Sequence, residues 1–289
     1  MPVPRLFEAP SRPDEQWAHV LATLLGLAGP DTRSALVEEL TGEALPDTDA
    51  MLVREQRPLR EDPDRIVVDL VARGAGWTLA LDASLAFGAV DAARIAKVYD
   101  ALDEVADRTI LIAVTPDRRP PEALDAAIAD GRDIRHRSWL RVRDWVQERP
   151  ERGAAEGVDL ALLREAEYFL TPRVAELYRL EGVMPLVPEA ARPALATAFY
   201  DLNDLAPAPL VQSAAADETN IIFPRTGDPV AQLAVAGNAL TLRVAADAPG
   251  PGMGSAGQWQ ELPIAQEADY EAARGWVQWV ARDLLPARR

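Results

Sequence analysis

Two aspartates in this sequence sit where carboxylates are costly. Residues 65–85 read RIVVDLVARGAGWTLALDASL, an apolar run, a glycine-bearing turn and a second apolar run. Asp69 lies in the first run and Asp82 in the second. An ionised side chain within an apolar strand is unfavourable unless a cation or hydrogen-bond donors meet it. Two on neighbouring strands therefore point either to a metal site or to a hydrogen-bonded structural pair. The element that must bring them together is a hairpin. Ile66, Val67, Val68, Leu70 and Val71 supply one strand, Thr78, Leu79, Ala80 and Leu81 the other, and Gly74-Ala75-Gly76 the turn, the sign of paired antiparallel strands.

On these residues the stretch resembles the core hairpin of the PD-(D/E)XK nuclease superfamily. Asp69-Leu70-Val71 matches the first acid and its strand, and Trp77-Thr78-Leu79-Ala80-Leu81 matches the second. Asp82-Ala83-Ser84 falls where the family has its acid-x-lysine signature. The resemblance continues through a helix from Asp91, a strand over residues 109–115 and a Thr115-Pro116 ending, covering about the first half of the chain. It implies a restriction-endonuclease-like mixed β-sheet flanked by helices, with Asp69 and Asp82 as ligands of a catalytic Mg2+ if the centre is active. The departures matter more than the match. The family's lysine is Ser84 here, its second acid is the shorter Asp, and the helix's glutamine is Arg94. The family's lysine positions the attacking water and stabilises charge on the phosphate, which serine cannot do. The candidate catalytic set is thus Asp69, Asp82, Ser84 and Lys97. Lys97, the chain's single lysine, stands on the following helix, where some relatives carry a relocated catalytic lysine.

Composition narrows the remaining chemistry. The 289 residues are 48% hydrophobic and 26% charged, as in ordinary globular domains. There is no cysteine, which removes disulfides and thiolate metal sites. With His19 and His136 alone, a histidine zinc centre is not expected. No apolar run has the length of a membrane span and the N-terminus lacks a signal-peptide pattern, so the expectation is a cytoplasmic protein without membrane contact. The net charge of −16 divides evenly between residues 1–150 and 151–289. An acidic surface opposes avid nucleic-acid binding, which depends on cationic contacts. The best local exception is Arg132, Arg135, Arg137, Arg141 and Arg143, read first as a solvated edge and helix and second as a phosphate-binding face.

In chain order, helices are expected over residues 15–27, with Trp17, Val20, Leu21, Leu24 and Leu25 inside, and from Asp31, as cap, to Gly42. A short strand over residues 51–54 should pair with the hairpin, and a helix over 91–105 should bury Ile95, Val98, Leu102 and Val105. The Asp117-Arg118-Arg119 turn, a strand and helix over residues 134–146, and a charged, proline-bearing boundary at residues 149–153 follow. Hence the expected domains are 1–152, nuclease-like, and 153–289, a smaller α+β domain of unassigned role. The second has helices over 158–180 and 188–205 and a stiff connector at 206–209. Strands near 220–223, 230–236 and 240–246, an edge strand at 259–264 and a helix over 270–285 complete it. It carries no P-loop and no dinucleotide fingerprint.

Three functions follow in order. The first is a catalytically degenerate, nuclease-like protein acting in binding, assembly or regulation through a protein partner or its own copies, with weak nucleic-acid contact at most. Bacterial proteins resembling this domain are often tied to restriction or antiviral defence, an analogy at the level of fold. The second is an active Mg2+-dependent DNA nuclease using Asp69, Asp82 and a relocated cation. The third is an acidic interaction scaffold in which the two aspartates are structural.

Overall fold

A computed structural model describes residues 13–58, 67–88, 90–103, 107–153, 155–203, 210–215, 218–225, 228–237, 239–244, 254–256 and 259–279. The expected connector at 206–209, Val105 and the end of the last helix lie outside these. The chain divides into two compact units, one of Met1–Ser84 with Val90–Glu176, the other of Leu85–Ala89 with Leu177–Arg289.

The first unit opens with helices α1 (Pro13–Leu27) and α2 (Pro30–Thr41). Trp17, Val20, Leu21, Leu24 and Leu25 recur at helical spacing and are all buried. α2 is not capped by Asp31. Gly29 is the N-cap and Pro30 takes the first helical position, where its missing N–H has no helical acceptor to lose. Asp31 sits in the first turn instead, where a negative charge suits the helix dipole. Gly42 ends α2 in the left-handed region at φ 80°, its N–H donating to Glu38 O at 2.6 Å.

Five strands then lie side by side in chain order: β1 (Leu52–Pro58), β2 (Val67–Gly74), β3 (Trp77–Ala83), β4 (Thr109–Thr115) and β5 (Ile134–Ser138). β1, β2 and β3 run antiparallel; β3, β4 and β5 run parallel. The central hairpin forms where the residue pattern places it, Gly74 facing Trp77 across its end. Gly74 is required there, because a Cβ would meet the Trp77 ring at 2.2 Å. That ring donates its indole N–H to Pro46 O at 2.8 Å.

Parallel strands need crossovers, here α3 (Ala92–Asp103) and α4 (Glu122–Ala129). Val71, Ala80, Leu111, Ala113 and Ile134 share a buried cluster with Ile95, Val98 and Leu102 of α3 and Leu124 and Ala127 of α4. The alternate residues, Leu70, Leu79, Leu81, Ile110 and Ile112, are equally buried and turn the other way. α1 packs on β1, β2 and β3, and α2 on β4. The unit is mixed α/β, a five-stranded mixed sheet flanked by helices.

The expected boundary at residues 149–153 falls within this unit. α5 (Trp139–Glu151) tolerates Pro150 in its last turn, and α6 (Gly157–Leu177) follows. Asp159 at the start of α6 accepts from Gly29 N at 2.7 Å, Gln147 donates to Thr171 at 3.0 Å, and Trp17 meets Phe169 edge-on. These contacts hold α6 to α1, α2 and α5.

The second unit contains α7 (Arg192–Asn203), α8 (Glu267–Trp279) and a six-stranded sheet. The strands are β6 (Leu210–Ala215), β7 (Glu218–Arg225), β8 (Asp228–Ala236), β9 (Ala239–Val244), β10 (Gly254–Ala256) and β11 (Trp259–Ile264). Their order is β10-β11-β9-β8-β7-β6, with all neighbours antiparallel. The 259–264 strand is therefore internal rather than an edge, since Gly254–Ala256 pairs on its outer side. Asp201 of α7 receives the Tyr270 hydroxyl at 2.9 Å, a two-point Arg274 contact at 2.7 and 3.0 Å, and the Gln278 amide at 3.0 Å. Burial and the Asp201 carboxylate push the Tyr270 hydroxyl well above its ordinary pKa, so it remains a donor. Residues 85–89 also belong to this unit. Phe87 meets Tyr178 edge-on at 5.5 Å, and Arg192 reaches the carbonyls of Phe87 and Gly88. Among the described residues no helix is long and apolar enough to cross a membrane.

Candidate functional site

The hairpin ladder pairs Leu70 with Leu81. Asp69 and Asp82 therefore stand one residue beyond that pair, on adjacent strands at the carboxyl end of β3. Asp69 turns its carboxylate to the strand itself, Oδ2 accepting from Ala83 N at 2.7 Å. It thereby satisfies a backbone donor beyond the Leu70–Leu81 rung of the ladder.

Asp82 is met from α3. Arg94 donates both terminal nitrogens to Asp82 Oδ1, Nη1 at 2.5 Å and Nη2 in a still closer contact. The Asp82 side chain is 14% exposed, so the guanidinium balances a charge that water barely reaches. The helix delivers this arginine deliberately. Asp91 Oδ1 accepts from Arg94 N at 2.9 Å, and Ile95, Val98 and Leu102 anchor α3 to the core. Lys97 stands exposed three residues further on and takes no part in the Asp82 pairing. Ser84 is fixed through its backbone, its N–H donating to Val114 O at 2.9 Å and its carbonyl accepting the Trp139 indole at 2.9 Å. Its position two residues after Asp82 carries no cationic group.

Asp82 pairs with Ala113 across β3 and β4, and Ala113 pairs with His136 across β4 and β5. Paired residues share a face, so His136 lies on the Asp82 face, two strands or roughly 10 Å away. Thr115 Oγ1 lies 2.9 Å from His136 Nε2 and donates to Asp117 Oδ2 at 3.0 Å. A hydroxyl has one proton, so the network assigns the imidazole proton to Nε2. Burial, reinforced by Arg137, pushes His136 down to about 4, leaving it neutral near pH 7. The sequence pattern places Thr115 at a strand end and Asp117 in a polar turn. The signal joining them to His136 was the alternation of Ile134 and His136 on β5, legible only once the β4–β5 register is known.

The arginine run serves a different end. Arg135 donates to Thr41 O, Arg137 to Glu39 O at 2.7 Å, and Arg141 to the Glu39 carboxylate. Together they complement the carboxyl end of α2, where unpaired carbonyls and the dipole favour cations. Arg132 pairs with Asp100 and Asp130, and Arg143 with Asp144. Hydrogen bonds from Arg108 and then Arg135 lower the Glu43 carboxyl from its ordinary pKa. Each of the five arginines is thus engaged with a backbone carbonyl or a carboxylate, giving this solvated edge a structural role.

Magnesium prefers a nearly octahedral set of oxygens, with the protein supplying one or two carboxylates. Asp82 Oδ1 already takes two N–H groups from the Arg94 cation, and Asp69 Oδ2 takes an amide. Among the described residues no group of three or more His, Cys, Asp or Glu side chains is arranged to hold a metal ion. As arranged, the residues do not fit Mg2+. Compared with protein-family models, curated protein sequences and solved structures, the chain matches none.

Proposed function

We propose that this chain is a catalytically degenerate nuclease-like protein, its first unit a restriction-endonuclease-like sheet retained for binding, assembly or regulation. The observation that carries this reading is the Arg94–Asp82 pair at the carboxyl end of β3, beside Ser84 in place of a lysine. Phosphodiester hydrolysis of the kind the resemblance implies needs a metal-bound oxygen set and a cation facing the phosphate. A closed carboxylate–guanidinium pair offers neither. The arginine run engaged with α2 and the net charge of −16 both favour a protein partner over nucleic acid.

One observation favours an active enzyme, the retention of Asp69 and Asp82 side by side on neighbouring strands. The deciding assay incubates the full chain with plasmid and single-stranded DNA in Mg2+ or Mn2+, beside Asp69→Ala and Asp82→Ala. The expected result is no metal-dependent cleavage by any of the three. Cleavage by the natural chain that both substitutions abolish would reverse the assignment.

A further inference from the structure

We infer that Arg94 is a tethered cation, occupying the place beside Asp82 that a divalent metal would otherwise take, so that the protein's own side chain closes this centre to metal. The inference rests on the nuclease-like reading for what the position is suited to, and on the geometry for what fills it.

Asp82 presents a nearly buried carboxylate, and such a group requires a compensating positive charge. That charge comes from a fixed element. Arg94 lies in the first turn of α3, its own amide held by Asp91, and the next residue, Ile95, is buried in the core. Ile95 and Val98 pack in the core cluster, so the backbone that carries Arg94 is held against the sheet, while its side chain, 41% exposed, reaches in from the helix to Asp82. Both terminal nitrogens converge on one oxygen, so Oδ1 has no lone pair to offer a metal. A second cation brought to that oxygen would also meet the guanidinium charge at close range. Asp69 is engaged with the backbone of β3. The arrangement has what a metal would give the carboxylate, a neutralising positive charge, placed on the Oδ1 oxygen that a metal would need.

Two consequences follow. The natural chain is indifferent to divalent cations at this site, and removing the Arg94 charge turns the same carboxylate into a cation seeker. The experiment is thermal unfolding of the full chain in EDTA and across a Mn2+ titration, for the natural protein, Arg94→Gln, Arg94→Lys and the double variant Arg94→Gln/Asp82→Asn. The natural chain and Arg94→Lys, which keeps a tethered charge, should unfold at the same temperature in EDTA and in Mn2+. Arg94→Gln should unfold earlier in EDTA and recover several degrees with saturating Mn2+ dependence, as mass action requires of a ligand that binds the native state. The double variant should show no such recovery.

The inference is overturned if the natural chain shows a saturable Mn2+ shift. It is equally overturned if Arg94→Gln gains none, or stays unfolded in both EDTA and Mn2+. That failure leaves the inert-nuclease reading standing, because it concerns only what Arg94 does. The cleavage assay tests the broader reading separately.

Discussion

Asp82 and His136 share one transverse row of the sheet, yet their charges are handled in opposite ways. The Asp82 carboxylate is met by the Arg94 guanidinium; His136 stays neutral because burial and Arg137 oppose its proton. The second case has a measurable sign. In the unfolded chain His136 titrates near the ordinary 6.5, whereas folded it titrates at about 4. As pH falls below 6.5 the unfolded state takes up a proton that the native state refuses. Stability is thus fully present above pH 6.5 and is lost toward pH 4. With partial exposure discounted, the loss from this group is on the order of 2 kcal/mol. Urea unfolding of the natural chain and His136→Asn at steps between these limits should show the slope flattened in the variant. An unchanged slope would mean that His136 charges freely in the fold. At this scale the sequence was half legible. Asp69 and Asp82 stood out because carboxylates are rare in apolar strands, but nothing local says that Arg94, twelve residues after Asp82, faces it. That contact depends on the rotation of α3 about its axis, which the burial of Ile95, Val98 and Leu102 decides.

Among the elements, α2 shows how a conspicuous charge run can be structural. Arg135 and Arg137 alternate with Ile134 and His136 on β5, and that period of two sends the arginines to the face where α2 ends. Arg135→Ala should cost roughly 1–2 kcal/mol, the value of charged hydrogen bonds to a helix terminus. Urea denaturation would measure it. DNA affinity at a fixed salt concentration should not change, whereas a phosphate-binding arginine would weaken binding and reduce its salt dependence. The hairpin and the β4 strand were readable because apolar runs bounded by glycine or turn residues have few alternative conformations. α4 was not, since Glu122–Ala129 follows two prolines and is rich in alanine, with little periodic contrast. β10 was equally hidden, because Gly254-Ser255-Ala256 has no strand propensity and pairs only because β11 offers it an edge.

For the molecule as a whole, the departure from expectation is where the first unit ends. Arg149-Pro150-Glu151-Arg152-Gly153 has the composition of a linker, but the helix after it belongs to the first unit's core. Leu162, Leu163, Ala166, Phe169, Leu170 and Val174 of α6 are all buried. At about 1.5–3 kcal/mol for each large apolar side chain, their loss is comparable to the roughly 5–15 kcal/mol by which a domain is stable. A chain ending at Glu176 should therefore unfold cooperatively and keep the tryptophan emission of buried Trp17 and Trp139. One ending at Arg152 should give red-shifted emission and no cooperative transition. Equal behaviour of the two would return the boundary to residues 149–153.

The excursion of residues 85–89 sets a schedule for biosynthesis. These five residues leave the ribosome directly behind β3, but Tyr178 and Arg192, which receive Phe87 and Gly88, are translated some ninety or more residues later. Through that interval the growing polypeptide must carry Leu85, Ala86 and Phe87 without their final neighbours. This segment of the second unit can therefore dock only after the strands of the first sheet, which end at Ser138, have all been synthesised.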